Sequence, residues 1–125
     1  MNNLNRAFLC LLSILILMGC KKNDSCMTED FIGLWAGDAE CTTSTNYLGF
    51  TVDYNGMGEI ETFYISNRLE TTIDECNFRA IIDDDDRTIL IEGELNGNRL
   101  DIEVSHSFEN EIFEDYTCEA SLKLL

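Results

Sequence analysis

The chain of 125 residues has no proline, one histidine, one tryptophan, and eight lysines and arginines against 24 aspartates and glutamates. A formal net charge of −16 repels phosphate backbones and anionic headgroups, which argues against nucleic acid as a partner. A single imidazole, His106, leaves acid–base and nucleophilic catalysis in their common forms only one place to stand. With no Cys-x-x-Cys pair to join that histidine, no zinc site and no other metal or cofactor is expected. Nor is there an apolar run of the ~20 residues that a membrane-spanning helix needs. The longest, Ala7–Met18, has twelve. Beyond residue 30 no stretch keeps an apolar 3.6-residue period through three turns, so a helical domain is not expected.

What the chain does contain is alternation of period two, broken about every 8–12 residues by turn signals. The first strand is expected over Phe31–Cys41, with Phe31, Gly33, Trp35, Gly37, Ala39 and Cys41 on one face, the glycines making room for the indole. Tyr47–Tyr54 and Gly58–Ser66 follow, separated by a turn at Asn55-Gly56-Met57. Asn67–Ile82 is ambiguous: a loop and then a strand from Glu75, one long bent strand, or two short ones. Thr88–Leu95 and Arg99–Phe108 flank Asn96-Gly97-Asn98, a strong hairpin signal because Asn-Gly suits the positive φ angles of a tight turn. Tyr116–Leu125 closes the chain. The expected fold is all-β, a single antiparallel up-and-down barrel or a sandwich of 7–8 strands. An up-and-down sheet closes antiparallel only with an even count, and Leu69–Asp74 is the candidate for the eighth strand. With no proline to blunt an edge, outward acids are expected to discourage edge pairing.

The segment before this domain has the layout of a secretory signal: Arg6, the apolar run, then Gly19. Leu17-Met18-Gly19-Cys20 resembles the lipobox of bacterial lipoproteins, in which the cysteine becomes the acylated first residue of the mature chain. That resemblance implies a signal helix over residues 1–19, a lipid-bearing polar tether over 20–30 and the β-domain over 31–125. The partner it implies is a membrane, met through lipid on Cys20, since two or more acyl chains give stable anchoring. Lys21-Lys22-Asn23-Asp24 loosely resembles the export tag of Bacteroidetes surface lipoproteins. The implied address is the cell envelope, at the outer membrane, on its periplasmic or surface face.

Gly33-Leu34-Trp35 resembles the Gly-x-Trp of lipocalins and of small lipocalin-like lipoproteins of Bacteroidetes. A group of those lipoproteins of unassigned function shares further pieces: Trp35/Gly37/Cys41, Ile65-Ser66-Asn67, Ile91/Gly93/Leu95/Gly97/Asn98/Leu100/Ile102 and Cys118/Ala120/Leu122. The likeness implies a small barrel and, by analogy, carriage of a small apolar ligand.

Four cysteines follow Cys20, namely Cys26, Cys41, Cys76 and Cys118, and an even number in an exported domain points to disulfides in one of three pairings. Alternation puts Cys41 and Cys118 on the apolar faces of the first and last strands, which a closed or nearly closed sheet brings together. Cys41–Cys118 is therefore expected, with Cys26–Cys76 by elimination; buried or free thiols are the other reading. Trp35, Tyr47, Tyr54, Tyr64 and Tyr116 are candidates to line a ligand cavity, with core packing the plainer alternative. Asp83-Asp84-Asp85-Asp86 invites calcium, but it lacks the spaced loop that wraps that ion, and a solvated hairpin tip fits it better. Ser105 and Ser107 face away from His106 and form no dyad with it. The expected function is that of a non-enzymatic binding or structural module, its partner a small apolar ligand or an envelope protein. A small hydrolase or inhibitor is the alternative from another class.

Overall fold

The structure, a computed structural model, describes residues 25–43 and 45–125. The expected signal helix and Cys20 lie outside the described residues. A 3₁₀ turn, Thr28–Phe31, precedes eight strands: β1 (Gly33–Cys41), β2 (Thr45–Tyr54), β3 (Ile60–Tyr64), β4 (Asn67–Asp74), β5 (Asn77–Asp83), β6 (Arg87–Asn96), β7 (Arg99–Phe108) and β8 (Tyr116–Leu124). Each strand pairs with its neighbour in sequence, and β1 pairs antiparallel with β8 to close a barrel. The sandwich is thereby excluded and the even count satisfied. The eighth strand is β4, which starts at Asn67, two residues before the expected run.

The ambiguity around β4 has a physical source. Its inward positions are Leu69, Thr71 and Ile73, and the Thr71 hydroxyl satisfies itself on the Leu69 carbonyl at 3.0 Å, so the strand shows little apolar alternation. The turn before it, Ile65-Ser66, holds φ angles of 47° and 65° without a glycine or asparagine at either position. A β-branched residue with positive φ is strained, and propensity alone would not place a tight turn there.

One end of the barrel is plugged. Phe31 belongs to the 3₁₀ turn rather than to β1, and its buried ring stacks 5.9 Å from Phe78, which in turn lies 5.6 Å from Phe50. Trp35 is buried opposite Phe50, and its indole N–H donates to the Phe31 carbonyl at 2.7 Å. Ile91, Leu100, Val104 and Leu122 complete the filling. The glycines act differently from the expectation. A Cβ on Gly37 would meet the Ser121 carbonyl at 2.9 Å, so this residue serves the close approach of β1 to β8 rather than the indole. Gly93, paired with Phe78, likewise serves a close approach between strands, since a Cβ there would run into the Asp101 carbonyl and the Ile102 side chain of β7.

A closed barrel has no sheet edge. The outward acids therefore have no edge to protect, which corrects the reason expected for them.

Candidate functional site

Both disulfides are present with the expected pairing. Cys41 and Cys118 are direct cross-strand partners with Cα atoms 4.0 Å apart, and their bridge locks the β1–β8 seam. Cys26 is bonded to Cys76, Cα atoms 4.9 Å apart, tying the segment before the 3₁₀ turn to the β4–β5 turn. That turn and the 3₁₀ turn are at the same, plugged end. The chain therefore enters the barrel at that end, and the β1–β2, β3–β4, β5–β6 and β7–β8 connections form the opposite, distal end.

The five aromatic residues expected around a cavity separate into three groups. Trp35 belongs to the packed layer at the plugged end. Tyr47 is 68% exposed, because alternation puts it on the outer face when Leu48, Phe50 and Val52 point inward. Tyr54 keeps the inward parity but falls at the last pair of β2 with β3, so it is left 38% exposed at the rim of the plugged end. Neither lines an interior. Tyr64 and Tyr116 do come together with His106 at the distal end. Burial raises the pKa of both hydroxyls, and each tyrosine's other influence, Tyr116 on Tyr64 and Arg87 on Tyr116, comes from this same end.

His106 is buried, with Nδ1 2.8 Å from the Tyr116 hydroxyl and its ring stacked 4.3 Å from Phe108. Phe113, from the β7–β8 loop, packs 5.2 Å from Phe108. Burial holds the imidazole pKa below its usual value, Arg87 adds to this and Asp115 opposes it, so the ring is neutral near pH 7. Its hydrogen bond goes to a tyrosine, whereas Ser105 and Ser107 pair with Leu90 and Thr88 at outward positions. Two inward-facing polar atoms, His106 Nε2 and Thr62 Oγ1, are buried without a hydrogen-bond partner. Sequence reasoning singles out the histidine but not the threonine, whose only signal is its inward parity in a short strand.

Asp83 ends β5, and Asp84–Asp86 form the β5–β6 turn. Asp84 accepts from the Asp86 and Arg87 backbone N–H groups, each at 2.9 Å, and these bonds hold its pKa low, with help from the Arg87 charge. Asp83 accepts from the Thr88 hydroxyl at 2.8 Å. Two of the four carboxylates are thus committed to the turn itself, as expected of a hairpin tip. Among the described residues no group of three or more His, Cys, Asp or Glu is arranged to hold a metal ion. Beside the turn a notch of about 490 Å³ is lined by Asp84, Asp86, Arg87, Phe108, Asn110 and Phe113.

A second feature could not be read from alternation because it depends on register. On the outer wall Glu92 lies opposite Glu103, Glu103 opposite Glu119, and Glu119 opposite Glu40. Four glutamates on four successive strands thus stand ~4.8 Å apart, within a shallow depression of about 780 Å³. Directly opposed like charges destabilise a sheet.

No protein-family model, no curated protein and no solved structure matches this chain. The reading of function therefore rests on the residues and their arrangement.

Proposed function

We propose that this protein is a non-enzymatic binding module of the bacterial envelope, held to the outer membrane by acyl chains on Cys20 and meeting its partner with the distal end of the barrel. The observation that carries this reading is the Cys26–Cys76 bridge, which fixes the end at which the tether enters. Cys20 is six residues before Cys26, a reach of at most ~20 Å, so the plugged end stays near the leaflet and the distal end faces away from it. Exposed Ile65, Ile112 and Phe113 stand on the distal turns, where a partner would meet them. Among the described residues no helix is long and apolar enough to cross a membrane.

A second reading, carriage of a small apolar ligand inside the barrel, is favoured by one observation: His106 Nε2 and Thr62 Oγ1 are buried on the inner face without hydrogen-bond partners, two polar contacts that a ligand would satisfy. Mass spectrometry tests both. The native protein should begin at an acylated Cys20, and a different first residue or a mass without fatty acid overturns the anchor. A small molecule retained by the native protein across preparations supports the carrier; none retained leaves the module without that role.

A further inference from the structure

The notch beside the acidic turn points to the chemistry of a partner. Two phenyl rings in contact, Phe108 and Phe113, and two carboxylates, Asp84 and Asp86, line it together. Asp84 is held by two backbone N–H groups, so its position is fixed before anything binds. A lysine or arginine side chain suits such a notch: its alkyl stem lies along the rings and its cationic head reaches the carboxylates, gaining from both the ring faces and the ion pair. Arg87 also borders the notch, and its charge acts on Asp84 as well as on His106 and Tyr116, so it offsets one carboxylate of the turn while Asp85 and Asp86 keep the turn net negative. The flanking connections are acidic, and Ile112 and Phe113 protrude from one of them, 83% and 59% exposed. Charge carried on the same loop opposes burial of these tips in a lipid leaflet. It complements a partner that is basic and apolar together.

We propose that the distal rim around Phe108, Phe113, Asp84 and Asp86 is a docking surface for a basic amphipathic peptide segment, one of whose lysine or arginine side chains enters the notch. The proposal rests on the binding-module reading above, but not on the lipid, because the notch is the same with or without an acyl chain.

The test uses the mature protein in neutral detergent and a fluorescent lysine/leucine amphipathic peptide, with a glutamate/leucine peptide of equal length and phosphatidylcholine–phosphatidylethanolamine vesicles as alternatives. Anisotropy should report binding of the basic peptide alone, weakened about tenfold or more by Ile112→Ser with Phe113→Ser and, separately, by Asp86→Asn. Both variants should unfold within about 2 °C of the parent. Unchanged binding in both overturns the proposal, as does equal binding of the acidic peptide. Loss of binding in Glu103→Gln with Glu119→Gln, but not in the distal variants, moves the contact to the outer wall and overturns it too. Vesicle binding without peptide binding would replace the peptide with a membrane. A protein that lacks the lipid yet binds the peptide as described would sink the anchor and leave this proposal standing.

Discussion

Removing the seam disulfide by Cys41→Ser with Cys118→Ser should cost the barrel about 4–5 kcal/mol. The two residues are 77 apart in sequence, and a loop of that length restricts the unfolded chain by that amount if loop entropy governs. The native ladder gains little in return, because β1 and β8 are already paired along their length and serine fits either site. Set against a domain stability of ~5–15 kcal/mol, the loss is large but leaves a folded population. Trp35 is the single tryptophan, buried on β1 and paired with Leu124 of β8, so its fluorescence in urea reports the seam itself. With a urea dependence of ~1–3 kcal/mol per molar, the midpoint should fall by roughly 1.3–5 M. The slope should steepen, since the uncrosslinked unfolded chain exposes more surface. The Cys26–Cys76 loop of 50 residues is worth about 4 kcal/mol by the same reasoning, so Cys26→Ser with Cys76→Ser should cost nearly as much. A seam loss below about 1 kcal/mol, or a gap of several kcal/mol between the two pairs, would refute loop closure as the main source of the bridges' stabilisation.

Three further outcomes are expected. Because burial depresses the folded-state pKa of His106, the unfolded chain takes up the proton first as the pH drops; the contribution of His106 is complete above about pH 6.5 and is lost as the pH falls toward the folded value. Thermal midpoints between pH 7.5 and 5.5 should therefore slope in the parent and be flatter in His106→Leu; equal slopes would exclude the imidazole as the cause. Glu103→Gln removes one of the two inner members of the glutamate row and should raise the midpoint by about 1–3 °C at low salt, with less gain at 0.5 M salt. A fall would mean that the row is not repulsive in the fold. Replacing Ile65-Ser66 by Asn-Gly relieves a β-branched residue at φ 47° and should stabilise the barrel by ~1 kcal/mol, or about 4–8 °C; calorimetry showing no gain would mean that the turn bears no strain.

Legibility in the sequence follows physical regularity. Arg99–Phe108 alternates cleanly, and β7 has those bounds. Gly97 after Asn96 marks a turn, and it holds a φ of 64°. Cys41 and Cys118 are legible as seam partners because both carry inward parity on the terminal strands. Asn67–Asp74 is obscured by a threonine in an inward position and by a turn built from isoleucine and serine. Tyr47 stands outside the barrel rather than in a cavity, as its parity against Leu48 and Phe50 requires. Tyr54 obeys parity but lies where the barrel ends, which alternation cannot locate. The glutamate row needs the register of four strands, and the notch needs two connections distant in sequence, so neither is visible from any one segment.

The central claim is the direction in which the barrel stands, and site-directed labelling measures it. In lipidated protein on bilayers, a probe at position 57, in the β2–β3 turn of the plugged end, should be quenched by a reporter in the headgroups. A probe at position 112 in the β7–β8 loop should escape quenching, since β7, ten residues long and tilted in the barrel wall, separates the ends by ~25 Å. Strong quenching at 57 with little at 112 is the expected result. The reverse order, or equal quenching at both, would contradict it.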